Sequence, residues 1–303
     1  MNSINKNMFE KFIRSFIFLS LKKIRIKKND TVFISTDLKN LYFPFLTFLK
    51  RDNNLLDEKY LSELFFDIIK EYFLPNGTVI FPSYSWSFIK KKYFNPKKTK
   101  PELGILEKNI FSKKGVYRSI HPTNSIIAIG KKSKFVTEKH GLFSFGANSP
   151  FHKFHKINLK FLNIGVPFYN SCTYVHHLEH LNGINHRFYK PISGKIINHG
   201  KSIRNIYYIL VKYHYFNRIF ERNEKRLYQK LLKMKKVNKI TQKKILFSNI
   251  SCKDVYDVGL SMLEKNPSAF MKNNITVKFI EGEETLKKKY TKYINFKLVK
   301  SNS

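Results

Sequence analysis

Thr31-Val32-Phe33-Ile34-Ser35-Thr36-Asp37 and Thr78-Val79-Ile80-Phe81-Pro82-Ser83-Tyr84-Ser85 share one pattern: a short, continuous apolar run that breaks into small polar residues. Unbroken β-rich runs of this length suit strands buried on both faces. Between them, Asp57 is placed to cap a helix running to about Phe73, with Leu61, Leu64, Phe65, Ile68 and Ile69 on one face. Pro75-Asn76-Gly77 stops it. Strand, helix, strand is the signature of an α/β fold. Working outward, Met8 to Leu21 places Phe9, Phe12, Ile13, Phe16 and Leu19 at helical spacing, and further strands are expected at Ser125–Ile129 and Lys160–Ile164. In open α/β sheets, ligands bind in the crevice beyond the strand ends, where the polar groups collect here.

Past Lys195 the pattern changes. Ile206 to Lys236 is a long basic stretch compatible with helix, carrying Arg218, Arg222 and Arg226; Asp254 to Glu264 reads as another helix, and the tail from Lys287 is basic again. There is no internal repeat and no Gly/Ser- or Pro-rich linker. One domain is expected over 1–303, with an α/β part at 1–195 and a helical, basic part at 196–303.

The chain has 303 residues, 42% hydrophobic and 26% charged, which is globular composition rather than that of a disordered chain. Its 57 Lys and Arg against 21 Asp and Glu give a net charge of +36. That charge must face solvent or an anionic partner. Cys172 and Cys252 form no CxxC and point to a reducing compartment. Phe16-Ile17-Phe18-Leu19 is too short for a signal sequence and is followed at once by Lys22 and Lys23. No stretch approaches the roughly 18 apolar residues of a membrane span. The expected location is cytoplasmic.

Two clusters carry chemistry. Gly115-Val116-Tyr117-Arg118-Ser119-Ile120-His121-Pro122 enters a strand, and read alone His121 is a hydrogen-bonded structural histidine. In Thr173-Tyr174-Val175-His176-His177-Leu178-Glu179-His180, a helix would put His176 and Glu179 on one face, three residues apart. A carboxylate beside an imidazole fixes its tautomer, which suits a general base; Thr173 would share that face. The same residues spell H-x-x-E-H, the inverted zinc-peptidase motif, but the spacing supplies no third ligand and no metal is expected.

In chain order, these blocks resemble the aminoglycoside 3-N-acetyltransferase family, which is distinct from the GNAT fold. They are Asp30 to Leu38; Gly77-Thr78-Val79-Ile80-Phe81-Pro82-Ser83-Tyr84-Ser85; Phe94-Asn95-Pro96 through Glu107; and Arg118-Ser119-x-His121-Pro122-x-x-Ser125. Phe145-Gly146-x-x-Ser149-Pro150, Thr173-x-x-His176-x-x-Glu179 and Asp257-Val258-Gly259 to Phe270 follow. The match spans nearly the whole chain, with Ser35 standing where many members carry His.

The resemblance implies a three-layer α/β/α fold with a central mixed sheet and a helical C-terminal elaboration. It also implies acetyl transfer from acetyl-CoA to an amine. His176 would be the base, Glu179 its orienting partner and Thr173 a hydroxyl near the reacting centre. His121 and Glu107 are further catalytic candidates. Thr36, Ser83 and Ser85 are candidates for contacts with acetyl-CoA, and Arg118 and Ser119, with His121, are placed either near acetyl-CoA or behind the residues that touch it. The acceptor is expected to be a small-molecule amine, an amino sugar of nucleotide-linked or surface-polysaccharide type; the alternative is an aminoglycoside antibiotic. A basic nucleic-acid- or membrane-surface-binding protein is the rival from another class. Against it, the chain shows no RNP, KH, zinc-finger or helix-turn-helix pattern, so neither a nucleic-acid partner nor integral membrane association is expected. A homodimer stays open.

Overall fold

A computed structural model describes residues 3–45, 57–184, 186–198, 200–212, 221–272, 275–279 and 296–300. In chain order the first elements are α1 (Ser3–Lys23), β1 (Thr31–Thr36), α2 (Leu38–Tyr42), α3 (Glu58–Phe73), β2 (Thr78–Pro82), α4 (Phe88–Lys91) and β3 (Tyr93–Phe94). Then come α5 (Ile105–Ile110), β4 (Tyr117–Arg118), β5 (Ile126–Gly130), α6 (Ser133–Thr137), α7 (Pro150–Phe154), β6 (Lys160–Ile164), α8 (Phe168–Ser171) and α9 (Val175–Leu181). The chain continues through β7 (Arg187–Asn198), β8 (Lys201–Lys212), α10 (Lys225–Lys233), β9 (Val237–Gln242), β10 (Ile245–Ser251) and α11 (Cys252–Lys265). A separate antiparallel pair, β11 (Ile275–Phe279) and β12 (Phe296–Lys300), follows.

The main sheet has the order β4-β5-β2-β1-β6-β10-β9. β2, β1 and β6 run parallel in its centre, flanked by antiparallel β5 and β10. It is a mixed sheet, as expected. Successive residues of β1 feed opposite sides: Val32 and Ile34 join a core built with α1 and α3, whereas Phe33 joins a second core with Phe154, Phe161 and Tyr174. With both faces covered, the molecule has the three layers that the unbroken apolar runs imply.

α3 begins where its sequence says it should. The Asp57 side chain accepts from the Lys59 N–H, 3.0 Å away, meeting one of the donors that a helix start leaves unpaired. Leu61, Leu64, Phe65, Ile68 and Ile69 are all buried, each contributing about 1.5–3 kcal/mol. Among the described residues no helix is long and apolar enough to cross a membrane.

Ile206 to Lys236 is not one helix. Ile206 to Lys212 completes β8, residues 213–220, including Arg218, lie outside the described residues, and helix is confined to Lys225–Lys233. The reason is a period of two: Tyr207 and Ile209 are buried while Tyr208 and Leu210 alternate with them, and β8 pairs with β7 over its whole length. The hairpin covers a small third core with Phe88 and Phe94. The part beyond Lys195 thus supplies strands as well as helices, and β10 lies inside the main sheet. The basic tail from Lys287 lies largely outside the described residues.

Candidate active site

β6 delivers the chain to the site. Beyond Ile164 it passes Pro167 and the short α8 before reaching Thr173. Asn163 Nδ2 donates to Ser171 Oγ at 2.7 Å, tying this connection to the sheet. The His176 N–H then donates to the Thr173 carbonyl at 3.1 Å, which starts the turn leading into α9. α9 is seated from behind by α11. A Cβ at Gly259 would lie 2.4 Å from Leu178 Cδ1, so any larger residue there would displace the Leu178 side chain from its seat.

On α9, His176 and Glu179 meet as the i,i+3 spacing implies: Nδ1 stands 2.7 Å from Oε2. Glu179 is 2% exposed and His176 keeps 16%. Arg187 Nε lies 2.7 Å from the same Oε2, and His186 Nε2 is 3.4 Å from Oε1. Burial alone would raise the Glu179 pKa, but Arg187 and His176 outweigh it and hold the carboxyl well below its ordinary range. Burial, helped by the Arg187 charge, lowers His176 to about 4, with Glu179 pulling the other way. The imidazole is therefore neutral near pH 7. With Nδ1–H assigned to Glu179 by this geometry, Nε2 is left as the atom that can take a proton. The ring of Phe145 stands edge-on to His176, centroids 5.8 Å apart.

Thr173 lies beside the buried Tyr84 phenol, which also neighbours Glu107. Glu107, 7% exposed, is raised to about 7 by burial, opposed by backbone N–H donors at Gly104 and at Glu107 itself.

The remaining candidates separate by what their polar atoms already hold. Arg118 is spent inside the protein. Nε donates to Ser125 Oγ at 3.1 Å, Nη2 to the Ser83 carbonyl at 2.8 Å and to Ser85 Oγ at 2.7 Å, and Nη1 to the Thr99 carbonyl. The guanidinium also sits 4.9 Å from the Phe94 ring centre. It fastens the segment after β2 rather than facing an anion, and Ser85 is fastened with it. Ser119 is fully buried, its Oγ accepting from the Ile126 N–H and lying 3.0 Å from His140 Nδ1.

His121 takes the supporting place among those expected of it. It is fully buried, donates through Nε2 to the Leu142 carbonyl at 3.2 Å and accepts the Asn124 N–H at Nδ1, also at 3.2 Å. Burial lowers it to about 3. It is a neutral strut of its loop, as its own sequence neighbourhood suggests.

Thr36 Oγ1 and Ser83 Oγ, at the carboxyl ends of β1 and β2, are buried hydroxyls with no protein partner. β1 is also where the strand order reverses, with β2 on one side and β6 on the other. Tyr84, Phe145, His186 and the Arg187 ion pair complete the site. Sequence reasoning assigned none of them a place in it, because each is joined through register or a turn rather than local spacing. The H-x-x-E-H run divides: His180 Nδ1 faces the Tyr189 hydroxyl at 3.0 Å, while His176 faces Glu179. Among the described residues no group of three or more His, Cys, Asp or Glu side chains is placed to hold a metal ion.

The model of the aminoglycoside 3-N-acetyltransferase family matches residues 58–264. The chain belongs to this family. Aminoglycoside N(3)-acetyltransferase III proteins from Salmonella sp and Acinetobacter baumannii are 35% identical over 77 residues, which is 25% of this chain and 27% of theirs. The aligned region thus spans about a quarter of these curated relatives. Among solved structures, aminoglycoside acetyltransferase AAC(3)-Xa superposes with a TM-score of 0.67 at 16% identity, covering 86% of this chain and 98% of that one. AAC-IIIb in a binary complex with CoASH gives 0.64 at 18%, covering 86% and 97%. YokD from Bacillus subtilis gives 0.65 at 19%, covering 84% and 94%. These likenesses fix the fold as that of the aminoglycoside acetyltransferases and not the GNAT fold.

Proposed function

We propose that this protein is an acetyl-CoA-dependent N-acetyltransferase acting on an amine of an aminoglycoside, with the whole chain as one catalytic domain. The observation that carries the reading is the His176–Glu179 pair at 2.7 Å, with a neutral imidazole presenting Nε2. In the proposed step the acceptor nitrogen attacks the thioester carbonyl carbon of acetyl-CoA. His176 Nε2 takes the nitrogen's proton, the C–S bond breaks, and CoA leaves as the thiolate and is reprotonated. Thr173 and Tyr84 supply hydroxyls beside the base, where the carbonyl oxygen gains charge. Thr36 and Ser83 offer unspent hydroxyls for the amides of the CoA arm.

The acceptor follows the class named for the relatives. Net charge favoured an anionic, nucleotide-linked amino sugar, and that expectation gives way, because overall charge acts through a medium screened over roughly 8 Å while an acceptor is chosen at contact. Two free, buried cysteines suit a reducing cytoplasm. The test is thiol release from acetyl-CoA with gentamicin-type aminoglycosides, plain amino sugars and nucleotide-linked amino sugars. Turnover with aminoglycosides above the rest is expected. Release with none of the three ends the acetyltransferase reading, and a preference for the nucleotide sugars ends the choice of acceptor.

A further inference from the structure

Glu179 receives three contacts from two segments, one from its own helix and two from the start of β7. His176 Nδ1 and Arg187 Nε each lie 2.7 Å from the same oxygen, Oε2, and His186 Nε2 is 3.4 Å from Oε1. Arg187 is 8% exposed and Glu179 2%, so solvent screens this pair little. Arg222 and Glu224, paired with each other before α10, are the next charges out: Arg222 acts on His176, and Glu179 and Glu224 repel. The titratable and charged groups facing His176 are thus Glu179 on α9, His186 and Arg187 at the start of β7, and Arg222 with Glu224.

An imidazole paired with a carboxylate alone gains a proton easily and holds it. That suits an orienting pair but slows a base that must discharge on every turnover. A guanidinium on the same carboxylate oxygen changes the balance. It neutralises the carboxylate, opposes the imidazolium and leaves the Nδ1 hydrogen bond in place.

We propose that Arg187 is a positioning residue for the transfer reaction, pinning Glu179 Oε2 against His176 Nδ1 so that Nε2 stays unprotonated and releases the proton it receives. This rests on the reading of His176 as the base. The proton moves from the acceptor nitrogen to His176 Nε2 and on to the departing thiolate or to water; Glu179 and Arg187 are unchanged at the end.

The test uses R187Q, which removes the charge, and R187K, which keeps the charge without the planar fork. His176 is titrated by NMR in the protein without substrates. In the wild type its midpoint lies at about pH 4, so it is neutral at pH 5 and above. In R187Q its midpoint rises by about one pH unit or more, because an opposing positive charge is gone. The acid limb of kcat/KM moves up with it. R187K keeps a midpoint near the wild type while kcat falls roughly tenfold, with KM for acetyl-CoA unchanged.

A folded R187Q whose His176 midpoint does not move overturns the proposal. If R187Q does not fold, wild-type kcat in R187K overturns it instead. The titration needs no turnover, so it separates two failures. An unmoved midpoint in an active acetyltransferase removes the clamp alone, whereas a moved midpoint in a protein that transfers no acetyl group removes the reaction.

Discussion

The hydroxyl of Tyr189 stands 3.0 Å from Nδ1 of His180, joining β7 to the helix that carries His176, the proposed base. His180 therefore holds α9 in place, whereas His176, one turn earlier, faces Glu179. The two histidines should respond differently to removal. H176A should lose about 10²–10⁴-fold in kcat while still binding CoA. H180A should keep kcat within about tenfold and lose about 1–2 kcal/mol of stability from the partly buried hydrogen bond and its packing. Steady-state kinetics with denaturant melts of both variants measure this. An H180A defect as deep as that of H176A would contradict the division of roles.

Gly146 faces the other nitrogen of His180. Its φ of +102° is a conformation that side chains rarely adopt, and a Cβ there would lie 2.6 Å from His180 Nε2. G146A should cost about 1–3 kcal/mol and lower kcat as well, because the backbone is strained and the His180 ring is pushed from its place beside Tyr189. A variant as stable and as active as the wild type would show that the close approach is dispensable.

Glu107 makes stability depend on pH. Its folded pKa is raised by burial from an ordinary 4.5 to about 7, so the folded chain holds the proton where the unfolded chain has lost it. That contribution is fully present below about pH 4.5 and is lost as pH rises through 7. E107Q stays neutral throughout. Between pH 4.5 and 8, its stability relative to the wild type should improve by about 3 kcal/mol, read from urea melts. A pH-independent difference would mean that Glu107 is ionised in the folded protein.

Thr36 and Ser83 test the placement of the CoA arm. If each hydroxyl gains its partner only in the complex, T36A and S83A should each raise KM for acetyl-CoA by roughly fivefold, with kcat little changed. A loss in kcat at constant KM would place them at the reacting centre instead.

Much of the scaffold could be read from local residues because local chemistry decided it. Asp57 caps α3, Phe73 ends it, and the apolar runs at 31–36 and 78–82 lie in the middle of the sheet. The His176–Glu179 pair was legible for the same reason, being a contact within one helix turn. β8 was misjudged because lysine-rich segments favour helix, while the alternation of Tyr207 and Ile209 is brief. Whether Arg118 contacts the cofactor or supports the site from behind was open in the sequence, because its bonds to Ser83, Ser85 and Ser125 depend on how β4 and β5 pair beside β2, which no spacing along the chain reveals. The Arg187 clamp depends on the turn between α9 and β7 in the same way.

The seat that α11 offers α9 sets an order of events during synthesis. Leu178 rests against Gly259, and Val255, Val258 and Leu263 belong to the same core. When His176 and Glu179 have left the ribosome, the surface that holds their helix has yet to be made. Roughly eighty more residues must follow, which at about 5–20 residues per second is several seconds. Throughout that interval α9 lacks the surface that seats it. Stalled chains ending near residue 240 should be cut by protease around α9, and chains released at full length should resist it.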